Sequence, residues 1–275
     1  LFGPRSCEIH GIKTFNGANA DDVILKTASV IINTKSPLAS VFDDVIIGKQ
    51  AILPEVDDIG YEDRLGTTGW IYRKKILVGT RDLLIHHGVP VLKEDFEKKY
   101  TRKGRKVLYL AEAGKLMAMF VVSYSADPQL KKALRKLEKS GMTILVRSAD
   151  PFINDESIAE LFELPDGYIR VMNSSNGRAF EKYSNLFAQK SPAYIVHNGS
   201  ALGLVSAFSA AEDLQETRKL ISVLISFGSA LGFGVVGLLA FVGGIDQLDA
   251  IKVALFQAAW CIFVNLLAKI KSLFM

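Results

Sequence analysis

The residues best placed for chemistry stand at the end of a short apolar run. Thr143 to Val146 reads as a buried strand, and it empties into the polar turn Arg147-Ser148-Ala149-Asp150. In an open parallel sheet, ligands bind in the crevice outside the carboxyl ends of the strands, so Ser148 and Asp150 mark the first place to look for a site. A second polar turn, His197-Asn198-Gly199-Ser200, closes another apolar run, Ala193 to Val196. Other reactive groups are sparse. Cys7 and Cys261 are far apart and form no Cys-x-x-Cys pair, which fits a reducing compartment and offers no structural zinc site. Cys261 lies in an apolar run and reads as a small buried hydrophobe. His86 and His87 follow a helical stretch and read as capping or surface residues rather than ligands. The basic run Lys131 to Lys139 reads as the solvated face of a helix; with no interleaved aromatics, it gives no nucleic-acid platform.

These residues need a scaffold, and the patterning supplies one. Val107 to Val122 reads as a β-hairpin, followed by an amphipathic helix with Leu130, Leu134 and Leu137 on one face. Helices are expected at Asn154 to Phe162, with Ile158, Leu161 and Phe162 inward, and at Arg178 to Phe187; a strand is expected at Tyr168 to Met172. Strand and helix alternating at this spacing predict an α/β fold with a doubly wound parallel sheet. Ahead of it, residues 1–13 read as a lead strand. Asp21 to Ile32 reads as a helix, capped by Asp21 or Asn19, and a second helix follows the break at Ser36-Pro37. Trp70 to Tyr72 and Lys75 to Gly79 read as a strand pair with a tight basic turn, and Arg81 to His87 as a helix ending at Gly88.

The largest shift in composition comes late. Among 275 residues with a net charge of +4, Leu220 to Ile245 and Val253 to Ala268 carry no charged side chain. About 20 apolar residues span a bilayer, and Lys252 and Lys269 can snorkel to extend the shorter run. Arg218, Lys219, Lys269 and Lys271 flank the pair, whereas the link Gly243 to Asp249 has no Lys or Arg, so both ends are expected to be cytoplasmic. The alternative is a buried helical hairpin in a soluble protein. The chain begins at Leu1, with no signal-peptide-like lead, and reads as lacking its natural beginning.

The order of parts resembles the P-type ATPases, in particular their heavy-metal-transporting branch. The resemblance is carried by Ser36-Pro37-Leu38-Ala39, by Glu62 with Gly66 and Gly69, by Val78-Gly79-Thr80, by the unit from Gly104 to Asp150, by Val196 to Ser200 and by Asn265-Leu266. It implies a haloacid-dehalogenase-like phosphorylation domain in residues 1–13 and 103–212. A nucleotide-binding insert would occupy 14–102, and two transmembrane helices 213–275. It also implies ATP and Mg2+ as ligands, a nucleotide held near Glu62, Gly66, Gly69 and Gly79, and a phosphoryl group held near Ser148 and Asp150.

Several family groups are replaced. Ser148-Ala149-Asp150 stands for threonine-glycine-aspartate, Asn198 stands where a carboxylate would hold magnesium, and Tyr124 matches a further aspartate. Ser36 replaces the histidine that faces adenine. Arg178 lies one position from the expected lysine, with Gly177 beside it, and the last helix offers Leu255, Ala258 and Ala259 where ion ligands would lie. Phosphoryl transfer rests on electrostatic stabilisation, so these replacements predict a catalytically degenerate ATPase-like membrane protein with a regulatory or structural role. The alternatives are a working cation transporter with an upstream aspartyl phosphate, or a haloacid-dehalogenase-type phosphatase.

Overall fold

The computed structural model describes residues 6–34, 36–48, 50–187 and 199–273. Two compact units divide the chain, residues 1–205 and 206–275. In the first, six strands form one antiparallel sheet in the order β1-β6-β5-β4-β3-β2. They are β1 (Cys7–Thr14), β2 (Asp57–Glu62), β3 (Gly66–Ile71), β4 (Lys74–Gly79), β5 (Lys106–Glu112) and β6 (Lys115–Tyr124). The expected lead strand and the expected hairpin are both present, but as neighbours in this sheet: Cys7 pairs with Tyr124 and Thr14 with Ala118. The expected parallel, doubly wound sheet is therefore corrected, because the principal sheet is antiparallel.

The apolar character of β5 and β6 has a clear origin. Leu108, Leu110, Phe120 and Val122 face one buried layer with Val23, Ala28, Ile31, Leu38 and Phe42 of α1 (Ala20–Ile31) and α2 (Pro37–Val45). Alternate residues Val107, Tyr109, Met119 and Val121 face another, with Leu83 and Leu84 of α3 (Arg81–His86) and Phe96 of α4 (Glu94–Lys98). A strand covered on both faces reads as a continuous apolar run, whichever way its neighbours point. The hairpin closes through Ala113 and Gly114, both at positive φ, and β3 turns into β4 through Tyr72 and Arg73, again both at positive φ. Two consecutive left-handed residues match the twist of a two-residue hairpin turn.

Local signals place the helices. Asn19 caps α1, its side chain accepting from the Asp21 amide at 2.8 Å. Ser36 caps α2, accepting from the Ala39 amide at 3.2 Å, so the residue at the family's histidine position is a helix cap. After the sheet come α5 (Pro128–Glu138), β7 (Ile144–Arg147), α6 (Asp155–Phe162), β8 (Ile169–Met172) and α7 (Ser174–Phe187). Leu130, Leu134 and Leu137 are buried as expected, and they pack with Ile158 and Phe162 of α6. Asn154 and Ser157 form a capping box at the start of α6. β7 and β8 pair in parallel, which is the parallel pairing among the described residues. Contrary to expectation β7 is not fully buried, since Leu145 is exposed. The expected strand Ala193 to Val196 and the residue Asn198 lie outside the described residues.

The second unit holds most of α8 (Ala201–Phe241) together with α9 (Ala250–Leu273). Both are long and apolar enough to cross a membrane, and only 6% of each apolar stretch is buried. A core hairpin of a soluble protein would bury its apolar residues, so the exposure of Phe227, Phe233, Ile251 and Leu255 fits lipid instead. Trp260 occupies the space over Gly228, and its indole N–H donates to the Leu224 carbonyl at 3.0 Å. A small residue opposite a large ring is a common way for membrane helices to pack closely.

Candidate functional site

The loop after β7 delivers Ser148 and Asp150 to the edge of the antiparallel sheet. Asp150 is 1% exposed. Its carboxylate accepts the Tyr124 hydroxyl at 2.9 and 3.0 Å and the Phe152 amide at 3.0 Å. The Leu38 amide, in the first turn of α2, is a further backbone donor to it. Ser148 Oγ accepts from the Asp150 amide at 3.1 Å, and the Ser148 carbonyl accepts from the Tyr61 hydroxyl at 3.3 Å. Burial pushes the Asp150 carboxyl up to about 6, against the lowering effect of the Phe152, Tyr124 and Leu38 donors. Tyr124 is also pushed well above its ordinary value, by burial and then by the Asp150 charge.

This arrangement does not fit a magnesium ion, which would need carboxylate oxygens open to it, whereas here those oxygens already face four donor contacts in a buried site. The position expected to hold a second acid, Tyr124, supplies the group that closes the first. Arg147 adds to the change: its guanidinium lies beside Gly177, with Nε 3.5 Å from where a side chain at that position would begin.

Cys7, opposite Tyr124 in the sheet, completes the junction, and sequence reading gave it no role there. Burial, then the nearby Asp150 charge, pushes its thiol up to about 12. The thiolate is the reactive form, so Cys7 is expected to resist a water-soluble maleimide at pH 7.5 in the folded protein and to react once denaturant opens the sheet. Labelling of Cys7 in the folded Cys261→Ser variant at the rate of a free thiol would show the junction to be open.

The residues expected to hold a nucleotide fall together at another place. Glu62 ends β2 and pairs with Gly66, which in turn pairs with Gly79. A Cβ on Gly66 would run into the Val78 carbonyl oxygen, and its φ of +151° belongs to glycine; a Cβ on Gly79 would run into the Leu65 carbonyl oxygen. Over this bare strand pair sits Leu83 Cδ2, 2.7 Å from where the Gly79 Cβ would stand. Gly69 lies farther along β3, under Val56. Gly66 and Gly79 thus admit close packing of backbone and Leu83.

Docking Leu83 there has a consequence one turn on. Side chains three and four residues later share its side of a helix, and these are His86 and His87. His86 Nδ1 lies 2.9 Å from one Glu62 carboxylate oxygen and His87 Nε2 lies 2.6 Å from the other. Burial alone would raise the Glu62 carboxyl, but the hydrogen bonds from His87 and His86 hold it below its ordinary value. His87 is the C-cap of α3 and His86 is exposed, in line with the capping-or-surface reading; what the sequence did not show is that both meet the acid Glu62.

No family model matches the chain. Its sequence is 23% identical over 176 residues to copper-transporting ATPase 2 of Rhizobium meliloti (strain 1021), covering 64% of this chain and 21% of that protein. The chain is similar to the heavy-metal P-type ATPases. It spans about a fifth of the length of that curated P-type ATPase. Among solved structures it is similar to the N-domain of HMA6, a copper-transporting P-type ATPase, at 16% identity and a TM-score of 0.37, covering 43% of this chain and 99% of that one. It is also similar to a zinc-transporting PIB-type ATPase in the E2.Pi state, at 11% identity and a TM-score of 0.45, covering 96% of this chain and 47% of that P-type ATPase.

Proposed function

We propose that this protein is a heavy-metal P-type ATPase-like membrane protein that has lost phosphoryl transfer and serves as a regulatory or structural component. The observation that carries the reading is the closure of Asp150 by Tyr124. A carboxylate that should face a phosphoryl group is instead 1% exposed and bonded to a tyrosine and backbone amides. In this reading the nucleotide-binding-like part, expected at residues 14–102, is widened to β1 to β6 with α1 to α4, because β1, β5 and β6 belong to one sheet with β2 to β4, and β7 and β8 with their helices are what remains of the phosphorylation domain. Residual nucleotide binding would centre on Glu62, Gly66, Gly69 and Gly79. Two membrane-crossing helices would anchor a globular part on the cytoplasmic side, where Arg218, Lys219, Lys269 and Lys271 favour it.

The complete gene product, purified in detergent, tests this directly. Incubated with magnesium and γ-labelled ATP, it is expected to form no acid-stable phosphoenzyme and to release phosphate no faster than a detergent blank. Formation of an acid-stable, hydroxylamine-sensitive phosphoenzyme would overturn the proposal in favour of a working transporter.

A further inference from the structure

We propose that Glu62, His86 and His87 form a binding site for a divalent first-row transition-metal ion, with zinc the best fit. The argument begins with convergence. One carboxylate oxygen of Glu62, one nitrogen of His86 and one nitrogen of His87 all lie within 4.8 Å of one another. Zinc sits at about 2.0–2.2 Å from such atoms, which puts tetrahedral ligands roughly 3.3 Å apart. The present separations from Glu62, 2.6 and 2.9 Å, are those of ligands sharing protons, so seating an ion requires each pair to open by well under 1 Å.

The donor set selects the ion. Two imidazoles and a carboxylate suit zinc and its neighbours, whereas magnesium and calcium prefer oxygen alone. His86 is the most exposed of the three, its side chain 66% accessible, so a fourth position opens to water or a further ligand. The scaffold supports the geometry: Glu62 is fixed in the β2–β3 ladder, and Leu83 over Gly66 and Gly79 fixes the helix. His87 is the C-cap of α3, with φ −93° and ψ 11°, and leaving the helix there lets two consecutive histidines turn toward one acid.

One group opposes the ion. Lys75 Nζ lies 3.2 Å from His87 Nδ1. An ammonium can only donate, so Nδ1 accepts and the His87 proton resides on Nε2, where it bonds to Glu62. A metal at Nε2 displaces that proton, and Nδ1 must then carry one, so Lys75 swings away on binding. The site therefore has a built-in test of sign: removing the Lys75 charge should tighten it.

Calorimetric titration of the full chain in detergent micelles, in a non-chelating buffer at pH 7.5, supplies the measurement. Zinc chloride is expected to bind one ion per chain, while magnesium chloride gives no heat. The H86A/H87A double variant should lose at least a hundredfold in zinc affinity. Glu62→Gln, which keeps the side-chain shape and an oxygen for one imidazole while facing the other with its amide, should lose at least tenfold. Lys75→Met should gain a few-fold. Binding by the double variant equal to that of the wild type would overturn the proposal, as would absence of zinc binding in the wild type. With copper(II) as the probe, electron paramagnetic resonance is expected to show nitrogen couplings from two imidazoles; couplings that persist in the double variant would also overturn it.

Discussion

Gly66→Ala is expected to destabilise the globular unit by about 4 kcal/mol, the largest effect of any single substitution considered. Two costs combine. The new methyl meets the Val78 carbonyl oxygen and the Gly79 Cα, 2.6 Å away, so the β3–β4 ladder or Leu83 must shift; overpacking of this kind costs about 1–3 kcal/mol. The backbone at φ +151° adds roughly another 1–3 kcal/mol for a residue with a side chain. Gly79→Ala meets only the first of these costs, because its methyl meets the Leu65 carbonyl oxygen and Leu83 on ordinary backbone, and should cost about 1–3 kcal/mol. Gly11→Ala, on exposed backbone with nothing within 4 Å, serves as the control and should be near neutral. The measurement is chemical denaturation followed by circular dichroism. If Gly66 were present only to admit a nucleotide, alanine would leave the unfolding midpoint unchanged and lower affinity alone.

The second large effect concerns acidity. A carboxyl held at about 6 in the folded chain, against an ordinary value of 3.8, is worth about 3 kcal/mol between its two charge states. Its folded-state value is raised, so this contribution is fully present below pH 4 and is lost as the pH rises through about 6. Asp150→Asn stays neutral throughout, keeps an oxygen for Tyr124 and Phe152, and should be more stable than wild type at pH 7.5 by up to about 3 kcal/mol. The advantage should vanish near pH 4. Glu62 and Glu112 are shifted the opposite way, the latter held down by Lys26 and Lys74 against the effect of burial, and their contributions are lost as the pH falls. They act equally in both proteins, so the difference between the two stability curves reports Asp150. Parallel curves from pH 4 to 8 would mean that Asp150 is solvated. Asp150→Ala, which takes the acceptor away from the Phe152 and Leu38 amides, should cost about 1–3 kcal/mol instead.

How much of this was legible depended on the range of the interaction. The amphipathic helix announced itself through Leu130, Leu134 and Leu137, and the capped starts of α1 and α6 through Asn19 and Asn154, because helix period and caps are local. The strands of the hairpin were legible too, yet their membership was not. Val107 to Val122 is apolar at nearly every position, and such a run has no period to say whether its neighbours are parallel. Ser148 and Asp150 do lie at the end of a strand, as read. Their closure depends on Tyr124 from β6 and Leu38 from α2, contacts that no spacing encodes. The approach of His86 and His87 to Glu62 depends likewise on Leu83 finding two glycines 13 positions apart in the chain and opposite each other in the sheet.

The pairing of β1 with β6 also sets a timetable. Strands β2 to β6 follow one another in space as they do in sequence, so each can add to its predecessor as the chain leaves the ribosome. β1 cannot join them: its partner is more than a hundred residues later, as the 113-residue separation of His10 and Ser123 shows. At about 5–20 residues per second, synthesis leaves β1 waiting on the order of ten seconds. Throughout that interval Cys7 is bare, and the thiol that the finished sheet hides is open to oxidants and to any edge strand that arrives first.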